Sequence, residues 1–108
     1  MEPGYDSSAV RDICERHEIA VAQLGQAAAA ELQMVIADFS AAETAQEFVS
    51  LRRDRFATDG PHGLIMTLRC GICLRFVWGH PIKKAHMIDT TDWTKTTRLR
   101  FVTIEAAP

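Results

Sequence analysis

The sequence contains no run of about 18 apolar residues, so no segment reads as a membrane-spanning helix. Its first residues are acidic and lack the basic, apolar and cleavage-site order of an export signal, so none is expected. No internal repeat or low-complexity segment occurs beyond the alanine run 27–30. Cysteine is scarce, with three residues. An odd count without an export signal favours reduced thiols in a cytosolic protein. Cys14 falls at helical spacing with Val10, Ile13 and His17, where a small core side chain fits. Cys70 and Cys73 are three apart but precede a strand, whereas redox pairs of that spacing precede a helix. A zinc site there would need two more ligands, and His80 and His86 are the candidates. Two unrelated thiols are the simpler reading, and no metal or other cofactor is implied.

Acids and bases are both present but unevenly placed. Residues 1–50 carry nine acids and two bases, whereas residues 51–108 carry ten bases and five acids. The second half is therefore positive, which suits a polyanion or an acidic protein partner. At 108 residues and 47% hydrophobic content, the chain has the size and composition of one globular domain.

The strongest pattern lies in residues 63–80. Every even position from Leu64 to Trp78 is apolar, a period of two that argues strand with one buried face. One strand of about 15 residues would be unusually long, so a hairpin is expected. A three-residue loop, Arg69-Cys70-Gly71, pairs Leu68 with Ile72, Met66 with Leu74 and Leu64 with Phe76. That loop class ends in a left-handed residue, which Gly71 supplies.

Upstream, Asp6, Ser7 and Ser8 offer N-caps for a helix over about 9–17. A second helix is expected over about 18–40, with Ala20, Leu24, Ala27, Ala28, Leu32, Val35, Ile36 and Phe39 as its apolar stripe and Gly25 inside it. The two read as a helical hairpin. Residues 41–51 suggest a short third helix or a packed connector, and 52–61 a basic, then turn-rich loop. Residues 1–5 contain Pro3 and Gly4 and read as a frayed edge strand or a loose end. Residues 79–93 have no usable period and read as a long loop, with Trp93 anchoring it on the core. The last strand runs over about 97–105. There Leu99 and Phe101 share one face and Val102 and Ile104 the other, which suggests a bulge near Phe101 and Val102 or burial on both faces. The sum is an α+β domain over 1–108, with an N-terminal helical hairpin packed on an antiparallel sheet of three to four strands.

Several spaced landmarks carry a family resemblance. They are Arg11-x-Ile13-Cys14-Glu15, Leu24-Gly25 with Ala30 and Leu32, Ala37-Asp38, Ala41-Ala42, Leu68-x-x-Gly71-x-x-Leu74-x-Phe76, Gly79-His80, Asp92-Trp93, and Arg98 with Ile104-Glu105. Together they resemble the HigB-like (killer protein) branch of the RelE/ParE toxin superfamily. The resemblance implies a RelE-like fold with an N-terminal strand, a helical hairpin and an antiparallel sheet. It implies a toxin of a bacterial toxin–antitoxin pair, with a cognate antitoxin as partner. RelE- and HigB-like members cut mRNA in the ribosomal A site, and ParE-like members poison DNA gyrase. The chain departs from the family pattern at two places: Cys73 stands where the family carries a sheet arginine, and Ala-Ala-Pro follows Glu105 where the family has a Tyr- and His-containing tail.

Metal-independent RNA cleavage needs a base for the 2′-hydroxyl, cations for the pentacovalent phosphate and an acid for the leaving oxygen. Arg75 shares a face with Cys73 one pleat further along, and with Arg98 it is the candidate catalytic cation. His80 is the candidate acid or base. Arg100, Lys83, Lys84, Lys95 and Arg53 are candidate RNA-phosphate contacts, with Arg52 and Arg55 as further loop charges. Two functions stay open: a ribosome-dependent mRNA endonuclease, with ribosome, mRNA and antitoxin as partners, and a non-catalytic member that acts by binding a protein.

Overall fold

A computed structural model describes residues 1–79, 93 and 96–106. The elements in chain order are β1 (Glu2–Tyr5), α1 (Ser8–Glu15), α2 (His17–Leu24), α3 (Gln26–Ala41), α4 (Ala45–Leu51), a single 3-10 turn (Arg53–Arg55), β2 (Phe56–Thr58), β3 (Gly63–Thr67), β4 (Ile72–Trp78) and β5 (Arg98–Ala106). Among the described residues they form an α+β domain with four helices and one five-stranded sheet, ordered β1-β5-β4-β3-β2.

The expected hairpin is present in the expected register. Leu64 pairs with Phe76 and Met66 with Leu74. The N–H of Leu68 donates to Ile72 O at 2.8 Å, and the N–H of Gly71 to Leu68 O at 2.9 Å. Gly71 has φ 93°, the left-handed conformation the loop requires. The expected bulge is also present. Phe76 pairs with Phe101 but Arg75 pairs with Thr103, so Val102 is the extra residue. That insertion returns Ile104 to the face of Leu74 and resolves the switch in hydrophobic phase.

Other expectations need correction. The single helix expected over 18–40 is two helices, because Gly25 sits at φ 90° and ψ 162°. Only glycine populates that region comfortably, so α2 ends and α3 restarts there. With α1 separated from α2 by the extended Arg16, the N-terminal half is two short helices followed by the 16-residue α3 rather than a two-helix hairpin. The sheet is mixed rather than wholly antiparallel, since β1 runs parallel to β5 with Glu2 opposite Arg98 and Tyr5 opposite Phe101. The stretch 52–61 is also more than a loop: it holds β2, which pairs with β3.

Local caps explain where helices begin. The Ser7 hydroxyl accepts from the Val10 N–H at 3.2 Å, and the Thr44 hydroxyl from the Glu47 N–H at 3.3 Å. The Glu47 carboxylate reaches back to the Glu43 N–H at 3.1 Å, which closes a capping-box-like pair. Trp93 and Thr96 hold α4 from outside, their carbonyls accepting from Gln46 N–H (3.1 Å) and Ala45 N–H (2.8 Å). Trp93 is half-buried against the core, as expected of an anchor.

The helices cover one face of the sheet. Leu32, Val35 and Phe39 of α3 and Phe48 of α4 meet Met66, Leu74, Phe76, Leu99 and Phe101 in one buried cluster. Its centre is aromatic: Phe76 and Phe101 centroids are 4.7 Å apart, Phe39 and Phe48 5.1 Å, Phe39 and Phe101 5.3 Å. Acidic side chains of the helical half tie down the basic half. The Asp38 carboxylate accepts from Arg52 at 2.9 Å, and Glu31 accepts the Arg69 backbone N–H at 3.0 Å. Arg52 is thus a structural cation.

Cys14 packs beside the core under β1, as its helical spacing implied. Burial, and then the nearby Glu15 charge, push its thiol up to about 12 from 9.0. Burial also pushes Tyr5 up to about 12 from 10.0, with Cys14 and Glu15 adding to the rise. The sign follows from linkage. Below about pH 9 the thiol is neutral in both states, so its contribution to stability is complete. Between about pH 9 and about pH 12 the unfolded thiol ionises and the folded one does not, so stability falls. Denaturant midpoints measured across that window should therefore drop, and less steeply in Cys14→Ala. In the folded protein a thiol reagent should label the exposed Cys70 first and Cys14 last.

Candidate functional site

The face of the sheet turned away from the helices carries the chemistry-bearing side chains. Strand register arranges them in rows. Glu2, Arg98 and Gly79 make the first row, since Glu2 pairs with Arg98 and the Gly79 N–H donates to Arg98 O at 3.1 Å. Gly4, Arg100, Val77 and Gly63 make the second. Thr103, Arg75 and Ile65 make the third, and Glu105, Cys73 and Thr67 the fourth. Successive rows lie about 7 Å apart along a strand.

Arg75, Arg98 and Arg100 are all exposed and share this face. They run obliquely over three neighbouring rows, from β5 across to β4. This coincidence of faces is the condition their use as a phosphate cradle requires. Arg100 is already engaged: its Nε lies 3.2 Å from the Asp6 carboxylate in an ion pair. The Asp6 N–H in turn donates to Phe101 O at 2.9 Å, which fixes Asp6 at the end of β1. With Nε held, the two terminal nitrogens of Arg100 remain for a ligand. Arg75 and Arg98 have no ion-pair partner among the described residues.

Arg53 is not part of this group. It lies in the turn before β2, at the sheet edge opposite β1. Three strand spacings, about 14 Å, separate β2 from β5. His80, Lys83, Lys84 and Lys95 lie outside the described residues. Cys73 is half-buried in the fourth row with its Sγ 3.8 Å from Thr67 Oγ1, and Cys70 is exposed in the hairpin turn.

Three residues of this face had no sequence signal. Glu2 and Gly4 reach it only because β1 joins β5, and beside Pro3 they resemble a strand breaker. Thr103 is the third. It stands opposite Arg75, and its Oγ1 is buried with no hydrogen-bond partner among the described residues. An orphaned buried hydroxyl costs about 1–3 kcal/mol. Thr103→Val keeps the shape and removes that cost, so the variant should be more stable by about 1 kcal/mol in urea unfolding. Destabilisation instead would mean that the hydroxyl has a partner in solution.

No family model matches this chain, and neither does any curated protein or solved structure.

Proposed function

We propose that this protein is a HigB-like toxin of a bacterial type II toxin–antitoxin pair and inhibits translation by cutting mRNA on the ribosome. The observation that carries this reading is the shared exposure of Arg75, Arg98 and Arg100 on the uncovered sheet face. Arginine's planar fork suits phosphate, and cations at neighbouring rows can hold the scissile phosphate and one beside it. In this reading Arg75 and Arg98 stabilise the pentacovalent phosphate, and His80 acts as acid or base. Lys83, Lys84 and Lys95 add attraction for the RNA backbone. The reaction uses no metal or cofactor, and a cognate antitoxin covers the basic surface.

A second reading has its own support. Asp6 already neutralises Arg100, and Cys73 occupies the row next to Arg75 where the family carries arginine. A non-catalytic member acting through a protein partner, gyrase or an antitoxin, would tolerate both.

Inducible expression in bacteria, with mapping of mRNA 5′ ends, separates the two. Growth arrest with cuts at ribosome-bound codons is the expected result. Arg75→Ala or Arg98→Ala should reduce cutting by about 100-fold or more, the usual cost of removing one transition-state contact. Arrest without cuts, or with DNA damage, would reject cleavage in favour of the second reading.

A further inference from the structure

The first two rows enclose a depression of about 330 Å³ between β1 and β5, lined by Glu2, Gly4, Gly79, Arg98 and Arg100. We propose that it seats a single ribonucleotide unit, its phosphate on Arg98 and Arg100 and its ribose hydroxyl on Glu2. The proposal rests on the RNA reading above and specifies which part of the chain is recognised as RNA.

Three observations carry it. First, the hollow exists because both flanking positions are glycine. A Cβ on Gly4 would lie 3.5 Å from Arg100 Cγ, and one on Gly79 would lie 3.3 Å from the Arg98 backbone carbon. Any side chain at either position would fill the space beside an arginine. Second, the volume is at the lower end of the ~300–1,000 Å³ typical of small-molecule sites, so it suits one unit rather than a folded surface. Third, the charge is mixed. Glu2 is exposed in the same row as Arg98 and has no ion-pair partner among the described residues. A bare anion gains from the arginines but is repelled by Glu2. A ligand that carries a hydrogen-bond donor next to its phosphate satisfies both, and the 2′-hydroxyl is that donor in RNA and is missing in DNA. Asp6 acts as a positioning residue, its carboxylate 3.2 Å from the Nε of an arginine that lines the hollow.

The test uses the intact purified protein without ribosomes. Binding of a short single-stranded RNA, the same sequence as DNA, and inorganic phosphate is measured by calorimetry or amide chemical shifts. RNA should bind about ten-fold more tightly than DNA, the value of one hydrogen bond to a charged acceptor. Glu2→Ala, at an exposed edge position, should bring that ratio to about one by tightening DNA as well as weakening RNA. Gly4→Ala should weaken RNA binding with its unfolding midpoint unchanged, because its Cβ meets only ordinary contacts. Arg98→Ala should weaken RNA and DNA alike. An RNA-to-DNA ratio that Glu2→Ala leaves unchanged would overturn the proposal, as would inorganic phosphate binding as well as RNA. The outcome is separable from the cleavage assay. Ribose preference without cuts in cells retains the seat and rejects the nuclease, whereas cuts with no Glu2-dependent preference do the reverse.

Discussion

Phe76→Ala should destabilise the protein by about 3–5 kcal/mol. Domains of this size are held by only about 5–15 kcal/mol, so the variant should sit near the edge of unfolding. Phe76 is fully buried, and among the described residues its ring meets Phe101 at 4.7 Å, Phe48 at 5.8 Å, Phe56 at 6.3 Å and Phe39 at 6.4 Å. It therefore joins α3, α4, β2 and β5 through β4. It also pairs with Leu64 in the hairpin and with Phe101 beside the bulge. Truncation removes the buried ring and leaves a cavity that five elements would have to close together. Phe76→Leu keeps most of the volume and should lose considerably less. Urea unfolding followed by tryptophan fluorescence and circular dichroism would measure both. A loss below about 1 kcal/mol for the alanine variant would mean that the ring is not at the centre of the core.

Gly25→Ala gives a test in which two structures predict opposite signs. In a continuous helix the change would stabilise by up to about 1 kcal/mol, because alanine is the better helix former. With Gly25 at φ 90° and ψ 162°, alanine is forced into a region reserved for glycine. The expected outcome is a loss of about 1–3 kcal/mol. The penalty is purely conformational, since a Cβ at Gly25 would meet nothing within 4 Å. The urea midpoint alone decides, and stabilisation would restore the single long helix.

These two sites mark where sequence pattern works and where it stops. The hairpin was readable because its information is local. Eight alternating apolar residues fix the face, and one glycine fixes the turn. The bulge was half readable: the phase switch between Phe101 and Val102 fits a bulge or burial on both faces, and the pairing of Arg75 with Thr103 beside that of Phe76 with Phe101 decides for the bulge. Gly25 misled because glycine inside an apolar helical stripe is compatible with continuation and with a break, and backbone angle is not encoded in the period. β2 was missed because three residues, Phe56–Thr58, are too few to show a period. β1 was ambiguous because Pro3 and Gly4 are poor strand formers, and its pairing with β5 comes from the far end of the chain. The candidate site divides the same way. The common face of Arg98 and Arg100 follows from alternation, and the pairing of Arg100 with Val77, two residues from Arg75 on β4, puts Arg75 on the same face. The contributions of Asp6, Glu2 and Gly4 depend on long-range topology and left no local trace.

The parallel pairing of β1 with β5 has a kinetic consequence. Nearly the whole chain separates the two strands, so their contact carries the largest loop-closure entropy in the sheet and should form late. During synthesis β1 emerges before the partner it needs, since β5 follows every other described element. The β2–β3–β4 meander and the helices can assemble in the meantime, with β4 exposing an unpaired edge. Arg98 and Arg100 enter the sheet only when β5 fills the gap between β4 and β1. Until then Arg75 stands alone on the meander, and the three-arginine face is completed only in the step that adds β5.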